Sequence, residues 1–165
     1  MTSAAPSTYL PPLEAPHERE GVAHELEATL HGLVDLALIG TQLHWAVVGP
    51  LFRPLHQQLD ELVDSLRELA DTVAERAVAV GVVPDGPTKA VVAGSQLVPV
   101  TASALEDRLV VREIAHRISE LSELTRERMN RLGEVDLAPQ DVLVEVVRTL
   151  EKQQWMLRVQ LGERL

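Results

Sequence analysis

His44, His56, Asp60, Asp71 and Glu75 are the residues of this chain whose types and spacing could do chemistry. They lie within "LHWAVVGPLFRPLHQQLDELVDSLRELADTVAER", residues 43–76. His56 and Asp60 stand four residues apart, as do Asp71 and Glu75. At about 100° per residue on a helix, all four fall within a sector of roughly 100°. That stripe lies one position past the apolar stripe of Leu55 and Leu59, at the outward edge of a core face. Asp60 and Asp71 are eleven residues apart, about 16 Å of helix rise. Metal–ligand bonds are about 2 Å long and bridged metals stand about 3.5–4 Å apart. One helix therefore cannot bring both pairs to one ion. Two antiparallel copies across a two-fold axis near Ser65 and Leu66 can, and symmetry then makes two sites per dimer.

His44 joins the same arrangement. Gly49–Pro50 breaks the helix that carries it, which sets His44 and His56 at similar heights on adjacent antiparallel helices. One subunit then offers His44, His56 and Asp60, and its partner Asp71 and Glu75. Two imidazoles and three carboxylates suit Fe(II), Zn(II) or Mn(II). Carboxylates also stabilise Fe(III), so the set fits oxidation of iron. Taken singly, each acid reads as a solvated charge and each His as a structural residue. The joint pattern makes sense as a metal site built by a dimer.

The elements that must position these residues are helices. A first helix is expected from Gly21 or Val22 to about Val48, with Leu26, Leu30, Leu33, Leu36, Ala37 and Leu43 on one stripe. A second is expected over residues 52–80, its core face Leu55, Leu59, Leu62, Leu66, Leu69 and Val73, ended by Gly81. Residues 81–103, rich in Gly and Pro, read as a crossover with a short helix near residues 89–94. A third helix over residues 104–132 stops at Gly133, and a fourth starts near Pro139, with Asp141 in its first turn, and runs to about Leu161. The fold class is therefore all-α, a four-helix bundle with one long crossover between helices 2 and 3, the ferritin-like topology. Residues 1–20, with Pro6, Pro11, Pro12 and Pro16, read as a flexible tail, and residues 21–165 as the helical domain.

Bulk properties agree. The chain has 165 residues, 45% apolar but 2% aromatic, so its core is aliphatic. It has no Cys, which excludes disulfides and thiolate ligands. The formal charge is -10, which argues against a generally basic, nucleic-acid-binding surface. The start lacks the pattern of a signal peptide, and no apolar run is long enough to span a membrane. A cytoplasmic protein is expected, with association to the nucleoid left open.

On these residues the sequence resembles the Dps family, the mini-ferritins. The family pattern is His-Trp, a His twelve residues on, Asp four later, Asp eleven later and Glu four later between Ala and Arg. Here those positions are His44-Trp45, His56, Asp60, Asp71 and Ala74-Glu75-Arg76. Asn commonly follows the Trp in the family; here it is Ala46. "LEKQQWMLR", with Trp155, is a further match, and the resemblance covers residues 22–162. It implies a hollow homo-dodecamer with intersubunit ferroxidase sites, oxidation of Fe(II) with hydrogen peroxide the favoured oxidant, and storage of ferric mineral. It implies that His44, His56, Asp60, Asp71 and Glu75 are both metal ligands and catalytic residues, with Glu75 able to bridge two irons. Trp45 and Trp155 resemble the indoles that flank the family's site, simple core packing being the alternative. Arg76 is expected to pair with acids in the interface. Asp141 matches a position where the family lines its three-fold pores with carboxylates, with Asp136 and Glu134 nearby candidates; for Asp141 a helix-dipole role is compatible.

Direct DNA binding is expected to be weak or absent. Residues 1–20 hold one basic residue, Arg19, against Glu14, Glu18 and Glu20, and "GERL" adds no basic extension. DNA would then be protected by removal of iron and peroxide. Two other readings compete. A larger ferritin-type site inside one bundle needs two Glu-x-x-His motifs, and Glu113–His116 is the one match within the expected helices. A non-enzymatic helical assembly protein would use the same acids only to stabilise an interface. His17, His24, His31 and His116 read as surface or packing residues.

Overall fold

The computed structural model describes residue 13 and residues 15–162. Helix α1 (Pro16–Ala46) leads through strand β1 (Val47–Val48) into α2 (Phe52–Val80); α3 (Thr88–Gly94) and strand β2 (Leu105–Glu106) precede α4 (Asp107–Leu132) and α5 (Leu137–Gln160). The four long helices form the ferritin-like bundle that periodicity predicts. Helix α2 has the bounds expected of it, and among its buried residues Leu55, Leu59, Leu62, Leu66, Leu69, Val73, Ala77 and Val80 recur at three- and four-residue steps. Gly81 ends it in the left-handed region at φ 102°, and Val82 N–H reaches the Ala77 carbonyl at 3.1 Å.

Helix α1 begins earlier than expected. Pro16 belongs to its first turn, with Glu18 beside it. A proline at the first helical position has no N–H to leave unpaired and its φ already suits the helix. It therefore starts a helix here rather than extending the tail; residues 1–12 and 14 of the expected tail lie outside the described residues. Helix α5 starts at Leu137 rather than Pro139, because Asp136 caps it by accepting Ala138 N–H at 3.0 Å. That leaves Asp141 beyond the first turn, and the capping carboxylate is Asp136.

Helix α1 packs on α2 and α4 on α5, and the two hairpins meet through α1 against α4 and α2 against α5. Large aliphatic side chains fill the space between them: Leu26, Leu33, Leu36, Leu59, Ile114, Ile118, Leu121 and Leu143 are almost wholly buried. Each contributes about 1.5–3 kcal/mol by burial. Gly32 lets α1 approach α4, since a Cβ there would overlap the Leu121 side chain.

The crossover carries the chain back along the bundle, so α4 starts at the end where α2 starts. One face of α1 straps it down. Glu27 accepts Asp85 N–H at 2.6 Å, His31 donates Nε2–H to the Asp85 carbonyl at 2.7 Å, and Asp35 accepts the Ser95 hydroxyl at 2.5 Å. From α4, the buried Arg117 donates to the carbonyls of Val98 and Pro99. At the opposite end of the bundle Arg131 forks onto Glu25 at 2.6 and 2.9 Å. The hydrogen bond to Glu25 raises the Arg131 guanidinium above its ordinary range, while burial lowers that of Arg128.

Two strands of two residues each complete the fold. β1 and β2 pair in parallel, Val47 with Leu105 and Val48 with Glu106, tying the α1–α2 turn to the start of α4. Periodicity gives no sign of this pairing, because it joins short segments far apart in the chain.

Candidate metal centre

The turn at Gly49 folds α2 back along α1 and brings the last turn of α1 against the first turns of α2. Gly49 takes φ +122°, a conformation that L side chains rarely adopt. His44 and His56 face each other across this hairpin, with ring centroids 3.5 Å apart and planes at 28°. Their Nδ1 atoms point at each other's backbone: His44 Nδ1 lies 3.3 Å from the His56 carbonyl, and His56 Nδ1 lies 3.1 Å from the His44 carbonyl. With Nδ1–H as donor in both rings, each Nε2 carries the free lone pair, the tautomer a metal-binding imidazole needs.

Asp60 stands one turn beyond His56 and brings Oδ1 to 2.9 Å from His44 Nδ1; its side chain is 61% exposed. The ligand atoms offered by His44, His56 and Asp60 all lie within 4.8 Å of one another, and among the described residues they are the one such group of three. Phe52, one turn before His56, tilts its ring against the imidazole at 4.9 Å. Sequence reasoning passed over this residue, the single Phe of the chain, although its four-residue spacing from His56 was a usable signal.

Asp71 and Glu75 are not brought to the cluster. They sit further along α2, exposed to solvent, and the eleven-residue step from Asp60 to Asp71 keeps them about 16 Å away along the axis. Beside Glu75 lies an open apolar depression formed by Ala74, Val78, Ala79 and Val83. Trp45, next to His44, is 71% exposed, and Trp155 is 49% exposed. Neither packs in the core of the chain. Val48, Leu51 and Phe52, around the turn, are also exposed apolar residues.

The remaining sequence candidates separate. Arg76 donates Nη2–H to Asp136 Oδ2 at 3.4 Å, which joins α2 to the start of α5 within the chain. The same carboxylate caps α5 and its side chain is 18% exposed. Within the chain, Asp136 is thus charge-balanced by Arg76. Glu134 and Asp141 are exposed, and Asp141 lines an open depression of about 660 Å³ with Glu145, Arg148, Glu151 and Lys152. In the Glu113–His116 motif, Glu113 is held by Arg117 at 2.7 Å and His116 lies beside Glu120 at 3.5 Å. The two side chains of that motif are engaged elsewhere, and no di-carboxylate, di-histidine cluster forms in the bundle among the described residues. His17 and His24 are exposed, and His31 is buried against Gly94.

Comparison with known proteins agrees with this fold. The ferritin-like domain pattern matches residues 23–165. The fine tangled pili major subunit of Haemophilus ducreyi is 36% identical over 144 residues, 85% of this chain and 74% of that protein. The DNA protection during starvation protein of Mycolicibacterium smegmatis is 32% identical over 142 residues, 85% of this chain and 76% of that protein. The structure of Dps from Microbacterium arborescens in a high-iron form superposes with a TM-score of 0.85 at 30% identity, covering 91% of this chain and 98% of that one. The chain belongs to the ferritin-like domain family and, within it, to the Dps proteins.

Proposed function

We propose that this protein oxidises Fe(II) at sites shared between two copies of the chain and stores the ferric product inside a homo-dodecameric cage. The observation that carries the reading is the three-ligand cluster of His44, His56 and Asp60 on an open face of the hairpin. Asp71 and Glu75 stand exposed about 16 Å further along the same helix, where an antiparallel copy would meet that cluster. The exposed Trp45 and the apolar depression beside Glu75 support a face that another chain covers.

Iron is the substrate. The two imidazoles hold Fe(II) at the tighter position, Asp60 completes ligation on the same chain, and Asp71 and Glu75 close the site from the partner. The carboxylates stabilise the higher charge of Fe(III) and so favour loss of the electron. With hydrogen peroxide, two Fe(II) each give one electron, the O–O bond breaks, and two protons are taken up to form two waters. Glu134 and Asp141 are the exposed candidates for carboxylates that draw Fe(II) to an entry pore. DNA is protected by withdrawal of iron and peroxide, with little direct binding at a net charge of -10 per chain. Among the described residues no helix is long and apolar enough to cross a membrane, and a cytoplasmic location fits the reading.

Anaerobic titration with Fe(II), followed by peroxide, tests it. The expected result is about two binding sites per dimer and rapid oxidation. Absence of both supports the helical-assembly reading instead. That reading leaves unexplained why three carboxylates would be gathered without a cation to offset their repulsion.

A further inference from the structure

The turn that sets His44 opposite His56 is held from outside the hairpin, by a buried carboxylate the proposed chemistry does not use. Asp107, the first residue of α4, is 6% exposed. Its Oδ2 accepts Leu51 N–H at 2.8 Å across 56 residues of sequence, and its Oδ1 accepts Arg108 N–H at 2.7 Å. Leu51 precedes the first residue of α2 and offers no capping side chain. Asp107 therefore supplies from another helix an acceptor that α2 does not provide for itself, and places a negative charge at the positive end of α2.

Gly49 shows how closely the two parts fit. A Cβ at Gly49 would lie 2.8 Å from Asp107 Oδ2 and 3.3 Å from Glu106 Oε2. The parallel pairing of Val47 with Leu105 and Val48 with Glu106 flanks the contact. His44 lies three residues before this seam and His56 five residues after Leu51. Any slippage of the α2 start against the α1 end would pass directly into the stacked imidazoles, 3.5 Å apart, and into their reciprocal bonds to each other's carbonyls.

We infer that Asp107 is a positioning residue for the metal centre: by holding Leu51 N–H it fixes the height of His56 against His44. The inference rests on the reading above that these two imidazoles bind the metal. Groups hydrogen-bonded directly to metal ligands typically change metal affinity by about 10–100-fold when removed, and Asp107, acting one step further back through Leu51, is expected at the lower end of that range.

The test uses the full chain in its assembled form with Co(II) chloride as the probe, compared as wild type, H44A, D107A and D107N. Co(II) follows Fe(II) in affinity for such sites and reports ligand geometry through its visible absorption. D107A is expected to bind Co(II) about 10-fold more weakly, with an altered spectrum. D107N keeps one acceptor oxygen for Leu51 N–H and is expected to fall between D107A and wild type. It also tests the inference alone if D107A does not fold, because a neutral amide oxygen holds Leu51 N–H less tightly than a carboxylate does. Amide exchange at Leu51 should quicken in the order wild type, D107N, D107A. A lowered melting temperature with unchanged Co(II) affinity and spectrum overturns the inference, since that is what a purely structural contact gives. A wild type whose Co(II) binding is unaffected by H44A sinks the underlying metal reading, a result distinct from failure of the Asp107 arm.

Discussion

A pair of variants, each lacking one half of the ligand set, separates a shared site from an in-chain one. H56A/D60A removes ligands from the cluster at the hairpin; D71N/E75Q removes the acids further along α2. The ligand atoms of the cluster lie within 4.8 Å of one another, whereas the acids start about 16 Å up the helix. If the two halves combine only across a two-fold axis, either variant alone loses both sites of every dimer. When the two are mixed, unfolded together and reassembled at random, about half of the dimers are hybrids. Each hybrid joins the intact cluster of one chain to the intact acids of the other and so regains one site of two; its second site lacks both halves. The mixture should therefore recover about one quarter of the wild-type sites, counted as Fe(II) bound anaerobically and as the fast phase of oxidation by peroxide. Recovery of nothing beyond the sum of the parents would refute a shared site. So would a D71N/E75Q protein that keeps wild-type stoichiometry, which would place the whole site within one chain.

Two further outcomes follow from the fold. D136A removes the cap of α5 and the partner of Arg76 together, and should lower stability by about 1–2 kcal/mol while leaving Fe(II) stoichiometry intact, as checked by urea unfolding and titration. G32A sets a Cβ against the Leu121 side chain at the α1–α4 contact. It is expected to cost about 1–3 kcal/mol through overpacking, seen as a lower denaturant midpoint with an unchanged slope.

Much of this protein is written locally. The three- and four-residue recurrence of Leu and Val over residues 55–80 is enough to define α2, because a helix buries one stripe and that stripe repeats with the helical period. Gly81 marks its end because it alone takes positive φ there at low cost. The pairing of His44 with His56 follows from a turn at Gly49–Pro50 and two helices of known rise, so spacing anticipates which residues face each other across the hairpin. Spacing also separates Asp71 and Glu75 from that cluster, since a rigid rod cannot bend its own residues together.

Tertiary structure decided what depends on contacts between distant segments. Whether Pro16 ends a tail or opens α1, and which acid of its own chain Arg76 meets, are choices between local alternatives of similar cost. Packing of α1 and α5 against the rest of the bundle resolves them. The β1–β2 pairing, the straps from Glu27, His31 and Asp35 to the crossover, and the grip of Asp107 on Leu51 leave no periodic trace. Helical period encodes which face of an element turns inward. It does not encode which backbone groups, some fifty residues apart, must find each other once the faces have met.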